Sequence, residues 1–403
     1  MSGPGRDVVV AGGGPAGCAT AIFLRQRGYD VLLVDTARFP RDKVCGDSVS
    51  PEGWRLLEAL EAAAAVRALA PQPLVGMRLT APDGTSFHGD YEGGQRPGFA
   101  ARRALLDMAL LEQARRAGVE VREGVQVEDV VRGNGHVDGV LLRASDAPPG
   151  SAEPVRARIV VGADGRRSMV ARRLGLLSEH RRLRKFAVRG YWEGMEGLED
   201  RGEMHVGGRG YCGIAPLSRD AANVAFVLDR SEMGAAGGDL ERFYRQTLRA
   251  RWPRLAERLE RATLSGVPRA VGPLALSAPR VWVPGAVLVG DAAGFYDPFT
   301  GEGVTLALRG AELAAEAIDA ALQAGTARDL SAYQRARDAA TRAKFRFNHM
   351  LQYVVGRPWL ANAVARKLAR RPDLASRMVG IAGDFVPAKQ AFGARFLFDL
   401  LNA

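Results

Sequence analysis

The chain has 403 residues, 47% hydrophobic and 25% charged, which is enough to bury a large core in one elaborated domain or in two or three smaller ones. Its three cysteines form no CxxC and its five histidines are scattered, so a disulfide framework, an iron–sulfur cluster and a metal site are not expected. The net charge of +11 reads as solvation of an Arg- and Ala-rich surface rather than as a nucleic-acid footprint, and the absence of a long apolar run or leader pattern predicts a cytoplasmic chain without a membrane span.

The first element is "DVVVAGGGPAGCATAIFLRQRGYDVLLVD". Its pattern predicts a strand over Val8 to Val10, a glycine turn, a helix with Ala19, Ile22 and Phe23 on its apolar face, a stop at Gly28, and a second strand ending in Asp35. Gly12, Gly14 and Gly17 fit G-x-G-x-x-G, which gives a tight turn, backbone room beside a pyrophosphate, and close packing of helix on strand. The helix N-terminus offers unpaired N–H groups to phosphate, and a carboxylate at Asp35 would accept from ribose hydroxyls. A second copy of the spacing, Gly208, Gly210 and Gly213 in "GRGYCG", is followed by "IAPLSRD" rather than by a helical pattern, and reads as a turn between strands.

Next comes "FPRDKVCGDSVSPEGWRLLEAL", a loop bearing Cys45, Gly46 and Asp47 that leads into a helix around Glu52 to Leu60. "VGMRLTAPDGTSFHGDY" reads as two strands joined at Pro82-Asp83-Gly84, and "RASDAPPGSAEP" is a loop by composition. "RARIVVGADGRRSMVARRLGL" is a strand (Ile159 to Val161) running into Gly162, Asp164, Gly165 and Ser168, then a helix. Alternating strands follow from Phe186 to Leu228, then a helix broken near Pro253. "VWVPGAVLVGDAAGFYDPFTGEGVTLAL" delivers Gly290 and Asp291 from a strand, and a turn with Pro298, Gly301 and Gly303 opens a long helix. Taken singly, Asp164 and Asp291 could each be helix caps.

From Leu330 the chain reads as helices. The apolar residues Phe345, Phe347, Met350, Trp359, Phe385, Phe392, Phe396 and Phe398 point to a segment that closes a pocket. The stretch from Ala340 onward holds eleven Lys and Arg against three Asp. In "WLANAVARKLARR", Trp359, Leu360, Ala363, Val364 and Leu368 share a helical face opposite Arg366, Arg370 and Arg371. That pattern fits either an interfacial helix or a core-packed helix with a basic outer face.

In this order and spacing, the G-x-G-x-x-G, D-G and G-D motifs resemble the FAD-dependent oxidoreductases of the p-hydroxybenzoate hydroxylase fold, over roughly residues 6 to 330. The resemblance implies an α/β fold. A Rossmann-type FAD-binding domain would be built from 1–75, 98–175 and 270–330, an antiparallel-sheet substrate domain from 76–97 and 176–269, and a helical C-terminal region from 331–403. It implies that Gly12, Gly14, Gly17 and Asp35 hold the ADP half of FAD, that Arg103 in "RALLD" lies near the cofactor, and that Asp164 and Gly165 lie beside the pyrophosphate. Gly290 and Asp291 would bind the ribitol, and the helix after Pro298, Gly301 and Gly303 would point at the flavin, where a helix N-terminus stabilises negative charge.

Within that fold "RDKVCGDSVSP" resembles the geranylgeranyl reductase family, whose loop lies against the flavin. Cys45, Asp47 and Tyr211 are then candidate catalytic residues, while a small residue for fit at Cys45 and a helix cap at Asp47 stay open. The family tends to carry Tyr-x-Trp followed by Gly-x-Gly in its substrate sheet; here Tyr211 is kept, Gly213 replaces the Trp, and "NVAFV" replaces the glycine pair. The expected activity is reduction of a carbon–carbon double bond in a hydrophobic, isoprenoid or lipid-like substrate, with NAD(P)H or another donor as reductant. The alternative is a monooxygenase acting on an apolar or phenolic ring, and a halogenase or a non-catalytic flavin scaffold is less expected. There is no second nucleotide-binding unit, so NAD(P)H would dock transiently, with Arg166 and Arg167 as possible contacts. The basic C-terminal region is compatible with peripheral membrane association.

Overall fold

The computed structural model describes residues 5–91, 97–179, 185–208, 210–234, 238–295, 297–326, 328–383 and 391. Phe385, Phe392, Phe396 and Phe398, expected to help close a pocket, lie outside them.

Short apolar runs bounded by glycines give buried parallel strands. Strands Ala286–Leu288, Glu153–Gly162, Arg6–Ala11, Val31–Asp35 and Glu120–Glu123 lie side by side in that order, with antiparallel Trp282–Val283 at one edge. An antiparallel pair, Val125–Gly133 and His136–Ala144, joins the outer half of Glu153–Gly162. Helix Pro15–Gln26 packs against helices Arg103–Arg116 and Gly303–Gln323.

The register matters most for the site. Ala11 pairs with both Gly162 and Val34, and Gly162 pairs with Leu288. Three strands therefore end level with one another, and the glycine turn, Asp35, Asp164 and Gly290-Asp291 emerge at one sheet edge, where open α/β sheets bind ligands.

The second sheet runs in the order Thr263–Val271, Lys185–Glu193, Ala221–Asp229, Gly210–Pro216, Arg201–Gly207, Gly76–Thr80, Ser86–Asp90. Period-2 alternation gives it two unlike faces. On one, Val188, Trp192, Cys212, Ile214, Val224 and Phe226 pack against Phe243, Tyr244, Leu248 and Trp252 of the helix Leu240–Arg251 and its C-terminal cap. On the other lie Ala187, Tyr191, Met204, Tyr211, Gly213, Ala215, Asn223, Ala225 and Val227. The second copy of the glycine spacing belongs here: Gly207 and Gly210 pair across the hairpin bend that holds Gly208, and Gly210 and Gly213 lie in the following strand.

Three helices, Ser331–Val355, Pro358–Arg370 and Pro372–Ala382, cover the far end. Helix Pro372–Ala382 lies on strand Ser86–Asp90 so closely that a Cβ at Gly89 would sit 2.5 Å from the Ala375 carbonyl oxygen. Helix Pro358–Arg370 buries Ala361, Ala365 and Leu368, with Val364 packed alongside. Its expected single apolar face is thus divided: Val364 and Leu368 turn inward, while Trp359 is 69% exposed and Ala363 faces outward. Packing against the sheet edge rotates the helix so that Ala361 and Ala365, small enough for close approach, carry the contact. No helix among the described residues is long and apolar enough to cross a membrane.

Candidate active site

The glycine turn is shaped by steric necessity. Gly12 has φ +106°, and a Cβ there would lie 2.4 Å from the carbonyl oxygen of Ala163; at Gly17 it would lie 1.8 Å from the carbonyl oxygen of Gly12. Gly14 differs, since a Cβ there meets only the Arg41 guanidinium at 3.4 Å. Asp35 stitches the turn to the second strand, accepting from Gly13 N at 2.7 Å and Ala37 N at 2.8 Å. Helix Pro15–Gln26 starts at Gly14 with no side-chain cap, so its first N–H groups are available to an anion.

Asp164 does act as a cap: its Oδ2 accepts from Met169 N at 2.6 Å and Val170 N at 3.2 Å. Its Oδ1 is buried with no hydrogen-bond partner, and burial raises its pKa against hydrogen bonds from Ser168, Val170 and Met169. Asp291 pairs with Lys43 at 3.5 Å, and Gly290, at φ +59°, would place a Cβ 2.7 Å from Ala16 of the first helix. Pro298 accepts from Gly301 N at 2.9 Å to close the turn that starts helix Gly303–Gln323, whose N-cap Glu302 makes no capping hydrogen bond. The uncapped N-termini of two long helices offer donors to the phosphates and flavin of a dinucleotide, the open side of Gly14 leaves room for it, and the orphaned Asp164 oxygen is an acceptor for a hydroxyl or N–H of the same cofactor.

The loop after Asp35 is fastened at several points. Arg41 pairs with Asp107 at 3.1 Å, and Asp107 is also gripped by Arg103 through Nε at 2.7 Å and a terminal nitrogen at 2.8 Å. Arg103 reaches Cys45 as well. Asp42 receives both Arg189 at 2.5 Å and Arg269 at 2.9 Å from the antiparallel sheet.

Asp47 is the last of these anchors. It stands at φ +60° and is 1% exposed; its Oδ2 accepts from Tyr191 Oη and Asn223 Nδ2, each at 2.8 Å, and its Oδ1 from Arg103 N at 3.3 Å. Burial pushes its carboxyl up to about 6, against the opposing pull of those side-chain hydrogen bonds and of Arg189 and Arg103. Asn223 also donates to the Cys45 carbonyl at 2.8 Å, so one amide holds two loop residues. Asp47 does not cap the following helix, whose N-cap is Pro51.

Tyr211 lies against the same cavity, but its phenol donates to Asp297 at 2.5 Å, and Asp297 also accepts from Phe299 N at 3.0 Å and Lys185 at 3.2 Å. Its ring meets Phe299 edge-on, with centroids 4.9 Å apart. Tyr211 thus braces the Asp297–Gly301 turn from the sheet side. Cys18 and Cys212 are buried away from the cavity, Cys18 bonding the Gly13 carbonyl at 3.2 Å.

One continuous cavity runs from Gly14, Gly165 and Asp291, past Cys45, Asp47, Arg103, Pro298, Gly301 and Gly303, to a floor of Ala187, Gly213, Ala215 and Ala225. Val379 and Ala382 of helix Pro372–Ala382 form its far wall. Of the candidate catalytic and cofactor residues named from the sequence, Gly14, Cys45, Asp47, Arg103, Gly165, Tyr211, Asp291, Pro298, Gly301 and Gly303 line it, whereas Gly12, Gly17, Asp35, Asp164 and Gly290 shape its turns from behind. Arg166 also reaches the cavity, donating to Pro273 O at 2.9 Å, whereas Arg167 does not line it. Sequence reasoning passed over Tyr191, Asn223, Asp107, Asp42, Glu302 and Lys344. Only Arg103 and Asp107, four apart on a helix, carried a readable spacing.

A sheet-edge glycine cradle, two acidic strand ends and an apolar cavity under a second sheet define a flavoprotein. The FAD binding domain family matches residues 6–348, and the chain belongs to this family of FAD-dependent oxidoreductases. Its relatives include the menaquinone reductase of Mycolicibacterium smegmatis, 31% identical over 77% of this chain and 75% of that protein. Another is the digeranylgeranylglycerophospholipid reductase of Methanothrix thermoacetophila, 30% identical over 79% of each. Among solved structures, the flavin-dependent brominase Bmp2 superposes with a TM-score of 0.83 at 21% identity, covering 98% of both chains. A geranylgeranyl bacteriochlorophyll reductase-like protein from Thermoplasma acidophilum superposes at 0.73 and 22% identity, covering 98% of this chain and 95% of that one. At these identities the structural likenesses speak for the fold alone.

Proposed function

We propose that the chain reduces a carbon–carbon double bond in the isoprenoid chain of a lipid, of the menaquinone or digeranylgeranylglycerophospholipid type named for its relatives, with NAD(P)H as reductant. The observation that carries this reading is the cavity. It is apolar along Ala187, Gly213, Ala215, Ala225, Val227 and Val379, long, and continuous with the cofactor cradle. Gly213 in place of a bulky residue widens the floor, because a Cβ there would meet nothing nearer than Met204 at 3.5 Å. A slim hydrocarbon chain with small methyl branches, as an isoprenoid is, suits that lining better than a polar ring does.

Bound FAD supplies hydride chemistry. The uncapped helix at Gly303 favours negative charge at the ring, Pro298 and Gly301 let the backbone approach it, and the apolar floor excludes water from the reacting bond. Asp47, its carboxyl raised to about 6 by burial, takes up and gives a proton just below neutral pH at the cavity wall, with Tyr191 and Asn223 orienting it, and is the proposed acid for the second carbon. Lys43 and Arg166 at the open end favour a phosphate-bearing reductant. Exposed Trp359 and Tyr353, the latter stacked by Arg357 at 3.5 Å, lie on the outside of the helices that close the cavity and suit contact with a lipid surface.

The deciding experiment incubates FAD-loaded protein, NADPH and a menaquinone with an unsaturated side chain under nitrogen, with mass analysis of the product. A product that keeps two added hydrogens in its side chain after air has reoxidised the quinone ring, located by fragmentation, supports the reading. No anaerobic turnover, together with a product that gains one oxygen once air is admitted, overturns it in favour of a monooxygenase.

A further inference from the structure

Lys344 is 1% exposed in the middle of helix Ser331–Val355, a costly place for an ammonium group unless it is fully engaged. Its Nζ donates to Glu302 at 2.5 Å and to the carbonyls of Ile381 and Ala382 at 2.8 Å each. These acceptors belong to two different structures. Glu302, 2% exposed, is the N-cap residue of helix Gly303–Gln323, and its carboxylate makes no capping bond to that helix. Ile381 and Ala382 are the last residues of helix Pro372–Ala382, where a cation satisfies orphan carbonyls and complements the negative end of the helix dipole. The same helix presents Val379, Ala382 and Gly383 to the cavity.

We propose that Lys344 is a positioning residue that couples the far wall of the cavity to the electrostatics of the flavin-facing helix. A buried carboxylate at the N-cap would by itself cancel the positive end of that helix, and Lys344 neutralises it. The same ammonium pins the C-terminal turn of the wall helix, so displacing that turn would withdraw compensation from Glu302. The inference rests on the FAD family assignment and not on the identity of the substrate.

The test compares wild type, Lys344→Met and the Glu302→Gln/Lys344→Met double variant by two measurements that need no turnover. Hydrogen exchange over residues 372–383 is followed in the FAD-free protein. Sulfite affinity of the FAD-loaded protein reports positive potential near the flavin. Lys344→Met is expected to speed exchange at the wall helix and weaken sulfite binding, each about tenfold or more. The double variant, again charge-balanced, is expected to return sulfite affinity to within about threefold of wild type while exchange stays fast. Sulfite affinity unchanged in Lys344→Met, or exchange unchanged while sulfite affinity falls, overturns the coupling. If Lys344→Met does not accumulate folded, Lys344→Gln, which keeps a donor without the charge, is read by the same criteria.

Discussion

Tyr191 and Asp47 join the two halves of the protein: the phenol on the antiparallel sheet donates at 2.8 Å to a carboxylate on the loop that lies against the cofactor cradle. The bond makes the position of Cys45 and Asp47 a property of the sheet rather than of the loop, because Asn223 on the neighbouring strand holds the same carboxylate. Tyr191→Phe is expected to leave flavin content near wild type but to lower kcat for the proposed double-bond reduction about tenfold, with little change in KM. Equal kcat in the two proteins would show that Asp47 needs no orientation.

The raised pKa of Asp47 makes stability pH-dependent with a definite sign. The folded carboxyl binds a proton at about 6 and the unfolded one near 3.8, so this group's contribution is complete below the lower value and is lost as pH rises through about 6. Asparagine tolerates the left-handed backbone and does not titrate. Lowering the pH from 8 to 5 should therefore stabilise wild type relative to Asp47→Asn by about 1 kcal/mol, read from urea melts at the two pH values. A difference that does not move with pH would exclude titration of Asp47 in this range.

Glu203 has the opposite sign. Burial alone would raise its pKa, but hydrogen bonds from His205 at 2.9 Å and from Arg258 at 2.8 and 3.0 Å hold it down at about 2. Its contribution is present above about 4.5 and is lost as pH falls toward 2. Glu203→Gln leaves Arg258 with a neutral partner and should destabilise the protein by about 3 kcal/mol at pH 7, with the loss shrinking at pH 3. Thermal melts at both pH values check it.

Two glycines of the turn, Gly17 and Gly14, should fail to different degrees. Gly17→Ala puts a Cβ into a backbone oxygen and is expected to prevent assembly of the cradle, giving insoluble or flavin-free protein. Gly14→Ala meets only a movable arginine, so it should fold, melt within a few degrees of wild type, and lose FAD affinity about tenfold. Flavin absorbance of the purified variants, with circular dichroism, separates the two. Asp291→Ala should likewise fold and purify with little yellow colour; a fully loaded variant would contradict a ribitol role.

Vesicle sedimentation tests the lipid surface. Arg366 pairs with Asp83 at 2.6 Å and Arg371 with Asp373 at 2.8 Å, so neutralising them would also break internal contacts. Trp359→Ala together with Arg370→Gln changes the exposed groups instead, and should weaken binding to anionic vesicles severalfold without shifting the melting temperature. Unchanged sedimentation would argue that the substrate is taken from solution.

The cradle was legible because its constraints are local: glycine spacing, a strand before, a helix after, and an acid at the next strand end all lie within one supersecondary unit. The strands around Asp164 and Asp291 were legible for the same reason, and their level ends follow from a parallel register that sequence spacing only implies. Tyr191 and Asn223 were not legible. Each is one position in an alternating strand, and its meaning comes from a loop more than 140 residues away in the chain. Lys344 was counted with the basic tail because a lysine on a charged helix is nearly always solvated, and only the packing of three helices removes it from water. The expected face of helix Pro358–Arg370 was divided because the helix wheel is blind to which turn meets the sheet.

The two faces of the antiparallel sheet divide the protein's vulnerabilities. Aromatic rings fill the side that packs against helix Leu240–Arg251, while on the cavity side, in alternate positions of the same strands, alanines and a glycine stand among Tyr191, Tyr211 and Asn223. Substitutions that resize Gly213, Ala215 or Ala225 alter which molecule fits without disturbing the packed layer beneath. The scaffold can thus exchange one substrate for another through small steps, each tolerated by the fold, and relatives that share this architecture are free to differ in chemistry at a handful of alternate residues.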